Sequence, residues 1–135
     1  MLHLIPAVVT LGIGCRKEKD PEQLWEFISE ELWHHRILPQ AVEQICTIDR
    51  KAGEPAILAA ADRLQVPLRT FSAEELASVQ GEFSVSSFVL HQMGVDNVCE
   101  RSAVKGSGGE LIIRKTARDG MTLAAAIRKW SVSFE

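Results

Sequence analysis

Apolar residues crowd the opening of the chain in a nearly unbroken run, Ile5 to Ile13, that closes on glycines. Such a run predicts a strand covered on both faces, as in an α/β sheet. The spacing then turns periodic. Leu24, Ile28 and Leu32 recur every fourth position, with Trp25 and Phe27 widening the stripe, so a helix is predicted to lay one face on the sheet as far as about His35. Asp20 before Pro21, with Gln23 at the third helical position, supplies an N-cap, a first-turn proline and a capping-box partner.

Gln44 to Asp49 reads as a second strand carrying Ile45 and Ile48. Pro55 opens a second helix, with Ile57, Leu58, Ala61 and Leu64 as its apolar stripe and an end near Gln65. A third strand follows over Val66 to Phe71. Ser72 with Glu75 forms another capping box, starting a short helix that runs to Val79. Gly81 to Ser86 reads as a loop, and Phe88 to Leu90 as a short helix stopped by Gly94. Asn97 caps a further short helix ending around Gly106. Leu111 to Ile113, the turn Arg118-Asp119-Gly120 and Met121 to Ile127 predict a terminal hairpin. Strands alternating with helices imply an α/β fold: a mainly parallel sheet, helices on both faces, a C-terminal hairpin, and a single domain over residues 1–135.

Length and composition agree with that reading: 135 residues, 46% hydrophobic and 24% charged, suffice for one core. The formal net charge of −3 argues against a general nucleic-acid binder, which needs a clustered basic surplus. Cys15, Cys46 and Cys99 are odd in number and far apart, without the paired spacing of a zinc or redox motif. No metal site is expected on protein ligands. The apolar opening lacks a basic flank and is too short to span a membrane, so the expected setting is the cytoplasm, away from membranes.

Ligands of open α/β sheets bind beyond the carboxyl ends of the strands, where Gly12-Ile13-Gly14-Cys15-Arg16 is expected as a glycine turn. Glycines permit close backbone approach, and Arg16 offers a forked donor to a carboxylate or phosphate. The pattern is neither a dinucleotide fingerprint nor a P-loop. Thr47-Ile48-Asp49-Arg50-Lys51-Ala52-Gly53-Glu54-Pro55 is expected on the same edge, where Lys51 and Glu54 pair with each other, bind an anion, or serve as acid and base; a solvated loop is the bland alternative. Cys15 as a nucleophile lacks an identifiable base, so a packing or turn role is preferred. His34 and His35 point about 100° apart on a helix and cannot clamp a metal together.

Three segments in this order, Gly12 to Arg16, Thr47 to Pro55 and Gly94-Val95-Asp96-Asn97-Val98-Cys99-Glu100, resemble the C-terminal domain of the cobalt-precorrin 5A hydrolases, a cobalamin-biosynthesis family. The likeness extends to Lys115 and to Gly120-Met121-Thr122-Leu123-Ala124, and so covers nearly the whole chain. The family includes a standalone single-domain form. The resemblance implies a polycarboxylate tetrapyrrole as substrate, bound by Gly12, Gly14, Cys15, Arg16, Thr47, Lys51, Lys115 and Thr122. It implies hydrolytic opening of a δ-lactone on the ring with release of acetaldehyde, Glu54 or Glu100 serving as base. No separate cofactor is implied, because the cobalt arrives within the macrocycle. The two-domain members carry an additional N-terminal domain, so such a domain, or another cobalamin-pathway enzyme, is the implied partner. The alternative is a noncatalytic module that binds or hands over the tetrapyrrole; an oligomerisation domain ranks last, since it leaves Arg16, Lys51 and Glu54 without a role. After Glu100, Arg101-Ser102-Ala103-Val104-Lys105 is more polar than the family's alanine-leucine run.

Overall fold

The computed structural model describes residues 7–80 and 97–128, so the expected loop at Gly81 to Ser86 and helix at Phe88 to Leu90 lie outside the described residues. Within them the strands β1 (Val9–Cys15), β2 (Val42–Ile48), β3 (Leu68–Phe71), β4 (Glu110–Arg118) and β5 (Met121–Ile127) build one sheet in the order β3-β2-β1-β5-β4. β1 pairs parallel to β2 and β2 to β3, whereas β5 runs antiparallel to both β1 and β4. Four strands therefore point one way and only β5 is reversed. The mainly parallel α/β sheet expected from the alternation is present, with the hairpin's second arm between β1 and β4.

Four helices accompany the described strands: α1 (Pro21–His34), α2 (Pro55–Leu64), α3 (Ala73–Ala77) and α4 (Val98–Ser107). Asp20 caps α1 by accepting from the Glu22 amide at 3.1 Å, while Gln23, the expected box partner, is exposed. The Ser72 box does close: the Glu75 amide donates to Ser72 Oγ at 3.1 Å and the Ser72 amide to Glu75 Oε1 at 3.0 Å. These bonds hold the Glu75 carboxyl below its usual range. Helix α3 stops at Ala77, short of Val79, where the Arg101 guanidinium takes the Leu76 and Val79 carbonyls, both at 3.2 Å. Helix α2 ends at Gln65 in the left-handed conformation. Its stripe is rotated from expectation, because Ala56, Ile57, Ala60 and Ala61 are buried while Leu58 is 45% exposed.

One face of the sheet is closed by α1 and α2. Leu24, Phe27 and Ile28 meet Leu11, Ile13, Ile45 and Leu123 there in a continuous apolar core. A smaller cluster on the other face joins Cys46, Ile48 and Phe71 to Leu76 of α3 and Val98 of α4. Helices thus cover both faces. The segment Gly12 to Cys15 is the end of β1 and not a turn: its ladder to β5 continues through Gly14↔Thr122 and Cys15↔Met121. The physical reason for Gly12 is the helix above it, since a Cβ there would run into the Cys99 carbonyl oxygen and lie 3.0 Å from the Ala103 nitrogen. Gly106 of α4 likewise has no room for a side chain over Cys46 and Thr10. Two glycines therefore let α4 lie on the strands almost backbone to backbone.

Candidate functional site

Parallel strands deliver their following loops to one edge of the sheet, and there the ends of β1 and β2 and the first turn of α4 surround a cleft of about 780 Å³. Gly14, Cys15 and Arg16 line it from β1, and Thr47, Ile48 and Lys51 from β2 and its loop. Asn97, Val98 and Cys99 contribute from α4, and Lys115, Gly120 and Thr122 from the hairpin. The segments singled out in the sequence converge here. Gly12 does not reach the cleft, because it is buried under α4; Glu54 and Glu100 stand behind the wall.

Among the described residues the lining carries four cations, Arg16, Lys17, Lys51 and Lys115, and no carboxylate side chain. Against a chain net charge of −3, this is a local reversal of sign. Helix α4 adds to it, since it starts at the cleft, where Asn97, Val98 and Cys99 line it, and the positive end of a helix favours negative charge. Asn97 caps that turn from a left-handed conformation, φ 51°, and its Oδ1 accepts from the Glu100 amide at 3.3 Å. The arrangement attracts anions and can hold several carboxylates at once.

Arg16 and Lys51 are held by their surroundings. The Arg16 amide donates to the Gly120 carbonyl at 2.9 Å, and the Arg16 side chain lies across Gly120, where φ is 78° and a Cβ would collide with it. Lys51 is mostly buried along its stem and sits 4.0 Å from Glu54 Oε2. Glu54 Oε1 accepts from the Glu18 amide at 3.0 Å, and Glu18 is itself left-handed, φ 61°. A single buried carboxylate therefore ties the Arg16-Lys17 loop to the Lys51 loop. On the opposite wall Glu100, fully buried, accepts from Asn97 Nδ2 and, at 2.8 Å, from the Lys115 amide.

The floor is neutral. Thr122 Oγ1 donates to the Gly14 carbonyl at 3.4 Å, and Thr47 Oγ1 to the Ile13 carbonyl at 2.6 Å. A Cβ at Gly14 would fall 2.6 Å from Thr122 Oγ1, so glycine keeps that part of the floor open. Burial pushes the Cys15 thiol up to about 11, reinforced by Glu54 and opposed by Lys51 and Lys19. Burial likewise raises Cys99 to about 12, although Thr122 hydrogen-bonds it. Both thiols stay protonated at neutral pH, the opposite of an activated nucleophile. Among the described residues no cluster of His, Cys, Asp and Glu could hold a metal ion, and no helix is long and apolar enough to cross a membrane.

Sequence reasoning did not name Lys17, Ile48, Asn97, Val98, Cys99 or Gly120 as site residues. Signals existed for two of them: Asn97 as a helix cap, and Gly120 as the turn of the hairpin opposite β1.

A family model described as cobalamin synthesis G C-terminus matches residues 9–126. The chain is 31% identical over 124 residues to a cobalt-precorrin-5A hydrolase of Salmonella typhimurium, an alignment covering 92% of this chain and 35% of that protein. It is 30% identical over 123 residues to the protein CobE of a Sinorhizobium species, covering 89% of this chain and 80% of the relative. The chain thus spans about a third of the hydrolase and most of CobE. Among solved structures, one of CobE, a protein from the cobalamin (vitamin B12) biosynthetic pathway, superposes with a TM-score of 0.82 at 25% identity over 94% of both chains. A cobalamin biosynthesis protein G homolog from Sulfolobus solfataricus shares the fold, with a TM-score of 0.74 at 23% identity over 92% of this chain and 38% of that one.

Proposed function

Because the chain belongs to the cobalamin synthesis G C-terminus family, we propose that its cleft binds a cobalt-precorrin 5A-type tetrapyrrole and serves the hydrolytic opening of that ring's lactone, with release of acetaldehyde. The observation that carries this reading is the convergence of Arg16, Lys17, Lys51 and Lys115 on a cleft whose described lining holds no carboxylate. A macrocycle edged with acetate and propionate groups presents the complementary charge. Gly14, Cys15, Thr47 and Thr122 line the neutral floor, and Gly12 holds the helix whose first turn faces the ligand.

In this proposal water adds to the lactone carbonyl and the acyl–oxygen bond breaks, leaving a carboxylate and a ring-attached secondary alcohol. As that alcohol loses its proton and becomes a carbonyl, its carbon–carbon bond to the macrocycle breaks, the ring takes the electron pair and a proton, and the two-carbon fragment leaves as acetaldehyde. Lys51 and the α4 amides stabilise the oxyanion. Of the two carboxylates considered as base, Glu54 is better placed: it adjoins Lys51, and its field reaches Cys15, both of which line the cleft. The setting is cytoplasmic.

A second reading has its own observation. Glu54 and Glu100 already accept backbone hydrogen bonds, and the chain spans 35% of the hydrolase it matches. This favours a noncatalytic binding module completed by a separate N-terminal hydrolase domain or another cobalamin-pathway enzyme. Anaerobic mixing with cobalt-precorrin 5A, following the macrocycle spectrum and acetaldehyde together, separates the two. Turnover that disappears in Glu54→Gln with binding retained supports the hydrolase; binding without acetaldehyde supports the module; no spectral change sinks both.

A further inference from the structure

We propose that Glu100 is a positioning residue: its buried carboxylate clamps the bulge of β4 to the first turn of α4, so that Lys115 and the α4 amides face one ligand from one wall. The inference rests on the cleft being the tetrapyrrole site, and it gives Glu100 a part other than that of base.

Strand β4 does not pair evenly with β5. Ile113 lies opposite Ala125 and Thr116 opposite Leu123, so β4 spends three steps where β5 spends two, with Arg114 and Lys115 in the bulge. A bulge leaves backbone groups outside the ladder and re-aims the side chains it carries. The Lys115 amide is taken by Glu100 Oε2 at 2.8 Å, across fifteen residues of sequence. The other oxygen, Oε1, accepts from Asn97 Nδ2, and Asn97 Oδ1 accepts the Glu100 amide at 3.3 Å. One carboxylate thus joins the helix cap to the bulge. Asn97 and Lys115 both line the cleft, whereas Glu100 itself has no exposed surface.

The chemistry of the pair explains the choice of side chain. A carboxylate accepts at both oxygens, so it satisfies two donors that face it from different elements. A glutamine has one accepting oxygen and an NH2 group, which would meet either the Lys115 amide or Asn97 Nδ2 donor to donor. Glutamate also stands in the first turn of α4, where the helix favours negative charge. The clamp therefore requires the anion, not merely the length of the side chain.

The test uses uroporphyrin, an octacarboxylate tetrapyrrole with a strong visible band, as the probe of binding. In the unsubstituted chain the Lys115 amide proton should exchange slowly with solvent, as read residue by residue by NMR; fast exchange there overturns the clamp without any substitution. Glu100→Gln should then speed that exchange and weaken uroporphyrin binding about tenfold, but weaken it by less than about twofold when Lys115→Met is already present. Such coupling means that Glu100 acts through Lys115. Equal losses in the two backgrounds overturn the proposal while leaving the cleft as the tetrapyrrole site. Failure of the unsubstituted chain to bind uroporphyrin is the distinct result that removes the binding reading itself.

Discussion

The two faces of the sheet are built by opposite means. Toward α1 and α2 the strands present Leu11, Ile13, Ile45 and Leu123, and large side chains interlock over a thick apolar layer. Toward α4 the register aligns Thr10 with Ala126, Gly12 with Ala124, and Gly14 with Thr122, so the same two strands are nearly bare on that side. Buried polar groups accumulate there instead: Gln44 donates to Thr10 Oγ1 and to the Gly106 carbonyl, both at 2.9 Å, and Glu100 ties α4 to β4. The first face stores stability in apolar area. The second fixes the distance of a helix from a sheet edge, and thereby the shape of the cleft at that helix's start.

Truncation on the thick face is the severest way to test this division. Phe27→Ala should lower unfolding free energy by about 3–5 kcal/mol, yet leave uroporphyrin affinity unchanged in the protein that remains folded; calorimetry and titration below the transition check both halves. Gly12→Ala should cost less, about 1–3 kcal/mol, because α4 is pushed off the strands, but it should abolish measurable binding. An unchanged affinity in Gly12→Ala would dissolve the contrast between the faces. At the cleft itself, Lys51→Met should weaken binding about tenfold and cost about 1–3 kcal/mol, because the buried Glu54 carboxylate loses its cation.

Alkaline pH tests the thin face more gently. Burial raises Cys46 and Cys99 to about 12 from the ordinary value of 9.0. The folded chain then holds protons that the unfolded chain has released, so the thiols' contribution to stability is complete below pH 9 and is lost as pH rises toward 12. Denaturant melts at stepped pH should show that loss, with Cys46→Ala making it shallower. The smallest effect belongs to the exposed Arg63–Glu22 ion pair joining α2 to α1. Arg63→Ala should cost about 0.2–1 kcal/mol and should not touch binding.

Local signals made much of the fold legible. Asp20-Pro21, Pro55 and Ser72 with Glu75 mark helix starts that the structure places at the same residues. Asp119 and Gly120 carry the two positive φ angles that a tight hairpin turn requires. Strand order was not legible, since nothing in Met121 to Ile127 says that it will separate β1 from β4. The run Leu123 to Ala126 hints at an interior strand through its burial-prone small residues, but many partners satisfy such a strand. Gly12 was legible as a close approach; that a helix approaches, and not a ligand, depends on pairing over long sequence separation. Glu54 and Glu100 were visible as carboxylates near the right segments. Spacing does not reveal that each is buried and accepts from a backbone amide.

The proposed binding of a tetrapyrrole's carboxylates by the cationic cleft is tested most directly by an anaerobic spectral titration with cobalt-precorrin 5A at low and high salt. The expected result is a saturable shift of the macrocycle spectrum that weakens as salt rises and is lost when Arg16, Lys51 and Lys115 are together replaced by Met in a chain that still folds. Undiminished binding by that triple variant would contradict the account.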